Sequence, residues 1–178
     1  MSALVLIGPS GAGKTTVGRR LADRLWVDFA DTDQLVEAES GQSVGELFAT
    51  RGEAAFRAAE RRAAAAALAG AADQAVVIAL GGGAPMDSAT AQAMTTAQAT
   101  SAATVVFLDV SEAVALRRVG AGAVRPLLAA SPRQSWRALM AKRRPVYETL
   151  ADVTINVDRL SPDQAADAIA QAIVKGDQ

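Results

Sequence analysis

The segment that most constrains this chain runs from Gly8 to Thr15 and reads GPSGAGKT, a full match to the pattern G-x-x-x-x-G-K-[ST]. The apolar run Ala3–Ile7 precedes it, and a helical pattern of apolar residues follows it. In this strand–loop–helix setting the glycines allow a tight turn, and the helix start offers N–H groups and partial positive charge to phosphate oxygens. Lys14 adds a full charge, and the Thr15 hydroxyl is placed to bind magnesium. We therefore predict that the chain binds a nucleoside triphosphate, rather than containing a Gly-rich turn that fits the pattern by chance.

Two residue types that are absent limit the chemistry. The 178 residues include no cysteine and no histidine. This excludes disulfides, thiol nucleophiles, Cys/His zinc sites and any histidine general base. Phosphoryl transfer remains available, because its loose transition state asks mainly for positioning and for charge neutralisation by Lys, Arg and an oxygen-liganded metal.

Charge and hydropathy limit the partners and the location. The formal net charge is −1, which argues against a nucleic-acid-binding surface. No apolar run approaches the ~18 residues needed to span a bilayer, and the N-terminus lacks the charged segment of a signal peptide. We expect a cytoplasmic monomer that binds neither nucleic acid nor membrane, folded as one domain over residues 1–178.

Apolar runs alternate with helical patterns, which predicts an α/β fold with a parallel sheet. The predicted strands are Ala3–Ile7, Val27–Ala30, Ala75–Leu80, Thr104–Leu108 and Val153–Val157. The predicted helices cover residues 14–25, 33–40, 44–51, 53–71, 87–97, 111–118, 133–150 and 162–174. The Gly- and Ala-rich stretch at about 119–132 is long for a loop in a compact domain, so we predict a mobile lid there, with Arg125 as its one strong charge.

Two further segments fall at strand ends that should lie beside the phosphate loop. Gly81–Gly83 follows the third strand, where bare backbone leaves room for a small substrate and offers N–H donors, although a flexible turn is the alternative. Asp31 and Asp33 follow the second strand, where carboxylates hold a metal's water shell or orient a hydroxyl, although a helix cap is the alternative.

A longer pattern, from Gly41 to Glu60, reads GQSVGELFATRGEAAFRAAE and is the most specific in the chain. It is followed in order by Gly81–Gly83, by Arg125-Pro126-Leu127-Leu128, and by Arg143 with Tyr147. On these motifs the chain resembles the shikimate kinase family over nearly its whole length. The resemblance implies the nucleoside monophosphate kinase fold, a three-layer arrangement with a five-stranded parallel sheet in order 2-3-1-4-5, helices on both faces and a lid. It also implies transfer of the γ-phosphate of ATP to the 3-hydroxyl of shikimate, with Mg²⁺.

The resemblance implies a role for each matching residue. Lys14, Asp33 and Arg125 would be catalytic, and Thr15 would hold the metal together with Asp31, which acts through water. The nucleotide would contact Gly11, Ala12, Gly13, Lys14, Thr15, Thr16, Arg118, Arg125, Arg159 and Pro162. Shikimate would contact Asp33, Arg57, Gly81, Gly82, Gly83 and Arg143 within a segment at about 31–61 and its surroundings. Arg57 and Arg143 would bind the carboxylate, because guanidinium forks match carboxylates bidentately, and Glu60 would fix the Arg57 rotamer.

Other interpretations of these side chains are available. Arg57 lies four residues after Glu53 and three before Glu60, so it also fits a surface ion pair. Arg143 belongs to a basic run with Arg144, and the family spacing favours Arg143. The aromatic residues are interpreted as packing residues: Phe48, Phe56, Tyr147, Trp26 and Trp136.

Two alternative functions stay open at this point. Gluconate kinase or another small-molecule kinase of the same fold would share the phosphate loop but lack the paired arginines at this spacing. A non-catalytic nucleotide-binding regulator would keep the scaffold and lose residues such as Lys14 or Asp33, both of which are present.

Overall fold

The structure, a computed structural model, describes residues 2–70, 74–120 and 131–176. The strands are β1 (Ala3–Ile7), β2 (Asp28–Asp31), β3 (Val76–Ala79), β4 (Ala103–Asp109) and β5 (Val153–Asn156). The helices are α1 (Lys14–Leu25), α2 (Thr32–Ser40), α3 (Val44–Gly70), α4 (Ser88–Ala99), α5 (Glu112–Gly120), α6 (Pro132–Leu150) and α7 (Pro162–Gly176), with a short 3₁₀ helix, η1 (Ala84–Met86). The predicted lid residue Arg125 lies outside the described residues, as does most of the predicted lid.

The strands form a parallel sheet in the order β2-β3-β1-β4-β5, which confirms the predicted fold class and strand order. β1 is central, and Val5 is paired with Ile78 on one side and with Val105 on the other. Every residue of β1 and of β3 is buried, because helices cover both faces of a parallel sheet. This burial explains why both strands are continuous apolar runs in the sequence.

The connections place the phosphate loop at the switch point of the sheet. From β1 the chain turns first toward β2 and β3 and then crosses to β4 and β5 on the other side. α1 packs against α7, and α4 packs against α3 and α6. The carboxyl ends of β1 and β3 therefore border a crevice, which is where open α/β sheets bind their ligands.

α3 consists of two helices that meet at Gly52, whose φ of 81° and ψ of 173° are not helical. The sequence predicted this division, with helices over 44–51 and 53–71. The second helix helps to form a small core separate from the one around the sheet, made of Val36, Leu47, Phe56, Ala59 and Ala63. The segment carrying Arg57 thus has its own packing.

Several predicted boundaries shift. β2 begins one residue later than predicted and ends at Asp31, whose side chain caps α2 by accepting a hydrogen bond from the Asp33 N–H. η1 was not predicted, because three residues carry no periodicity. The packing role expected for Trp26 is wrong: the residue is 93% exposed. Trp26 ends α1 in a left-handed conformation with φ of 57°, and the chain reverses there into β2.

Within the described ranges, no helix has both the length and the apolar content needed to cross a membrane.

Candidate active site

Lys14 forms hydrogen bonds within the loop between β1 and α1. The Lys14 Nζ donates to the carbonyl oxygens of Gly8 and Pro9 at 2.8 and 3.0 Å. Gly11 and Gly13 have φ values of 87° and 88°, so the loop uses the left-handed region that the glycine pattern predicted. A positive charge and the N-terminus of α1 are therefore held at the same place, which suits a phosphate group.

A pocket of about 390 Å³, here called the nucleotide pocket, lies over this loop. The predicted nucleotide-binding residues that line it are Gly11, Ala12, Gly13, Lys14, Thr15, Thr16, Arg118 and Pro162. Arg118 donates to the carbonyls of Gly11 and Val157 at 3.3 and 3.0 Å, so it joins the phosphate loop to the segment after β5. Arg159 is exposed and lies outside the described lining, whereas its neighbour Leu160 belongs to it.

The two residues predicted to hold a metal contact each other at the edge of this pocket. The Thr15 hydroxyl donates to Asp31 Oδ2 at 2.6 Å, and Asp31 Oδ1 accepts from the Asp33 N–H at 3.0 Å. Hydroxyl and carboxylate oxygens are the ligands that Mg²⁺ prefers. In the described part of the chain no group of three or more His, Cys, Asp or Glu side chains could enclose a metal ion. The oxygens of Thr15 and Asp31 therefore fit a metal ion that takes its other ligands from water and phosphate.

A second pocket adjoins the first, and Ser10 and Asp33 line both. We call it the acceptor pocket. Its polar lining includes Asp33, Arg57, Glu60, Gly82, Gly83 and Arg143, and its apolar wall is Val44, Phe48, Phe56, Trp136, Leu139 and Met140. Two guanidinium groups next to a carboxylate and an apolar wall suit a small anion that carries hydroxyl groups and an apolar ring face.

Arg57 makes the ion pairs that the sequence suggested and also lines the acceptor pocket. Its Nη1 donates to Glu60 Oε2 at 2.7 Å and its Nη2 to Glu53 Oε1 at 3.5 Å, so the ion pairs are present. The same guanidinium lines the acceptor pocket. Burial raises the pKa of Glu60, and the hydrogen bond and charge of Arg57 oppose this shift. A buried carboxylate with this partner holds the arginine side chain in place.

The three glycines after β3 differ in what they supply. The Gly81 N–H donates to the buried Thr32 hydroxyl at 2.8 Å and is therefore occupied. A Cβ on Gly81 would lie 2.7 Å from Glu60 Oε1 and 2.8 Å from Asp33 Oδ1, so this glycine provides space between the two acids. Gly82 and Gly83 line the acceptor pocket. Sequence analysis gave Thr32 no role, since its partner is 49 residues away.

α6 separates the neighbouring arginines. Arg143 lines the acceptor pocket, whereas Arg144 donates to Asp109 Oδ1 at 2.6 Å and lies over the Phe107 ring, 5.7 Å from its centroid. Tyr147 was interpreted as a packing residue, but its hydroxyl also donates to the Gly82 carbonyl at 2.5 Å. Trp136 packs in the main core, as expected, and also lines the pocket.

Comparisons with known proteins show the family to which the chain belongs. The family model described as shikimate kinase matches residues 10–174. The chain belongs to the shikimate kinase family. The shikimate kinase of Salinispora arenicola (strain CNS-205) is 48% identical over 166 residues, which are 93% of this chain and 94% of that protein. The shikimate kinase of Thermobifida fusca (strain YX) is 44% identical over 169 residues, or 95% and 93% of the two chains.

A solved structure from the same family gives the same assignment, and a more distant one shares the fold. A shikimate kinase from Acinetobacter baumannii in complex with shikimate has a TM-score of 0.90 and 32% identity, with 99% of this chain and 94% of that chain covered. A deoxyadenosine kinase from M. mycoides has a TM-score of 0.62 and 16% identity, over 97% and 99% of the chains, and shares the fold alone. Membership of the shikimate kinase family confirms the predicted enzyme class, an ATP-dependent kinase.

Proposed function

We propose that this member of the shikimate kinase family transfers the γ-phosphate of ATP to the 3-hydroxyl of shikimate, giving shikimate 3-phosphate and ADP. The observation that carries the proposal is the junction of the two pockets. A phosphate-binding loop and a pocket with two arginines share Asp33 as a common wall. The family membership supports the same reaction, which supplies the aromatic amino-acid pathway.

On the donor side, Lys14 neutralises charge on the transferred phosphate. Its partners include two backbone carbonyls of the loop, which the side chain can exchange for phosphate oxygens. Thr15 and, through water, Asp31 are the residues that would hold Mg²⁺. When bound, the ion would neutralise charge on the nucleotide phosphates.

On the acceptor side, Arg57 and Arg143 bind the shikimate carboxylate, and a backbone N–H of the Gly82–Gly83 pair adds a further donor. Glu60 holds Arg57 in position. Asp33, which reaches both pockets, receives or orients the proton of the 3-hydroxyl as the phosphate arrives.

Four nucleotide contacts complete the proposal. Arg118 and Pro162 line the nucleotide pocket, and Arg159 belongs to the same segment of chain as Pro162. The family resemblance supports contacts of these residues with the adenine. Arg125 neutralises phosphate charge when the lid closes; this role comes from the family resemblance. Because one chain forms both pockets, we propose that the monomer is the active unit, and the use of ATP favours the cytoplasm.

The test is a coupled ADP-release assay with shikimate, quinate and gluconate as acceptors. We expect turnover with shikimate and at least a tenfold preference for it over gluconate. Lys14→Ala should lower kcat by about 10²–10³ while the protein stays folded, because one preorganised charged donor is lost. Excess chelator should abolish turnover. A preference for gluconate would favour the alternative small-molecule kinase, and binding of ATP without turnover of any acceptor would favour a regulator.

A further inference from the structure

The Tyr147 side chain is fully buried and yet ends beside the acceptor pocket. Its ring packs against Phe107, with centroids 5.2 Å apart and ring planes at 34°. Its hydroxyl donates to the carbonyl oxygen of Gly82 at 2.5 Å. A phenylalanine would satisfy the packing equally well, so the hydroxyl needs a separate explanation.

Arg143 lies near the same hydroxyl, and its positive charge opposes the effect of burial on the pKa of Tyr147. Arg143 and Tyr147 lie four residues apart on α6, and Arg143 Nη1 is 3.4 Å from the point that a Cβ on Gly82 would occupy. The direction of the tyrosine hydrogen bond is fixed, because a carbonyl only accepts.

The hydroxyl thus holds a peptide that is proposed to bind the acceptor. In a trans peptide the carbonyl and the following N–H point in opposite directions, so holding the Gly82 carbonyl also sets the direction of the Gly83 N–H.

We propose that Tyr147 is a positioning residue for acceptor binding: its hydroxyl orients the Gly82–Gly83 peptide before shikimate arrives. Burial raises the pKa of Tyr147 to about 12, so the hydroxyl keeps its proton throughout the range of an ordinary assay. This inference rests on the proposed function, since it concerns the same acceptor pocket.

The first test is Tyr147→Phe, which keeps the ring and removes the hydroxyl. We expect KM for shikimate to rise by about 5- to 30-fold, as for the loss of one buried hydrogen-bonding group, with KM for ATP within about twofold of the parent. Thr149→Val is the matched control, because Thr149 is an exposed hydroxyl on the same helix that bonds to the Pro145 carbonyl at 2.8 Å. It should leave both KM values unchanged.

Tyr147 is the only tyrosine in the chain, which allows a measurement without any mutation. Incorporation of 3-fluorotyrosine gives a single ¹⁹F NMR signal, which should shift on saturation with shikimate and much less with ADP. Suppose that the parent enzyme phosphorylates shikimate, but that the ¹⁹F signal stays fixed and Tyr147→Phe keeps the parental KM. That result would overturn the inference about Tyr147 and leave the proposed function intact. A parent enzyme that does not phosphorylate shikimate overturns the proposed function.

Discussion

At the residue scale, the acceptor pocket depends on how its arginines are held. Arg57 donates to a buried glutamate and to an exposed one, and its guanidinium also lies over the Phe56 ring, 5.1 Å from the centroid. The side chain is 29% exposed, so part of it remains available from the pocket. Two properties of this side chain can be tested separately: its positive charge and its planar fork of N–H donors.

Arg57→Lys keeps the charge and removes the fork. A surface ion pair would change little, but a bidentate carboxylate contact would leave one oxygen unpaired. We expect a loss of about 5- to 150-fold in kcat/KM for shikimate, corresponding to about 1–3 kcal/mol for an unsatisfied buried group, with ATP kinetics nearly unchanged.

The control for this variant is Arg62→Lys on the same helix, since Arg62 pairs with Glu39 and is 59% exposed. It should stay within about twofold of the parent. Steady-state kinetics with each substrate varied in turn and a melting curve are the measurements. If Arg57→Lys and Arg62→Lys have equal shikimate kinetics, Arg57 forms only a surface ion pair and does not bind the carboxylate.

Gly83→Ala tests the space that Arg57 needs. A Cβ on Gly83 would overlap Arg57 Nη1, so the guanidinium must move. The backbone at Gly83 has φ of −94° and ψ of −20°, which alanine adopts without strain. We expect KM for shikimate to rise by about 10- to 100-fold through misplacement of the fork, with little change in melting temperature.

Gly45→Ala is the matched control for Gly83→Ala, because nothing lies within 4 Å of its added Cβ. Its shikimate kinetics should match those of the parent. If Gly83→Ala behaves like this control, the placement of Arg57 against Gly83 is wrong.

At the element scale, the break in α3 decides how Arg57 approaches the sheet. The sequence predicted a break near Gly52 because two helical patterns flank it. The position of each half depends on the φ of 81°, which no pattern reports. Only the second half carries Arg57 and Glu60.

Gly52→Ala should therefore destabilise the protein although nothing lies within 4 Å of the added Cβ. An alanine at this φ and ψ costs about 1–3 kcal/mol, which chemical denaturation measures directly. Gly45→Ala, inside the preceding helix, is expected to be neutral or to stabilise by up to ~1 kcal/mol. A Gly52→Ala variant as stable as the parent would show that the break tolerates ordinary helical geometry.

At the scale of the whole molecule, the acceptor pocket lies between two cores. Arg57 belongs to the helix of the small core, whereas Arg143 and Gly82 lie on elements packed around the sheet. Shikimate bound to both arginines would connect the cores, and a nucleotide bound at the phosphate loop would not.

Hydrogen exchange measured by mass spectrometry tests this connection. We expect saturating shikimate to slow amide exchange across about residues 32–63, because a ligand that binds both parts suppresses opening of the less stable one. ADP should mainly protect the phosphate loop and α1. Equal protection of residues 32–63 by ADP would contradict the proposed position of shikimate.

The parts of this molecule that sequence analysis predicted are those encoded by neighbouring residues. Burial of β1 and β3 produces continuous apolar runs, and the phosphate loop has a fixed local spacing. The bonds from Gly81 to Thr32 and from Tyr147 to Gly82 join residues 49 and 65 positions apart, so they leave no periodic trace. The exposure of Trp26 was missed for a related reason, since a large aromatic residue is usually buried and only the local chain reversal decides otherwise.

The shared position of Asp33 between the two pockets has a consequence for the solvent. A carboxylate that accepts a proton from a sugar-like alcohol accepts one equally well from water, so a wet acceptor pocket invites futile hydrolysis of ATP. Phe48, Phe56 and Trp136 face the same space with surfaces that give water few partners. If Asp33 has the proposed role, the aromatic wall would limit this hydrolysis when no acceptor is bound.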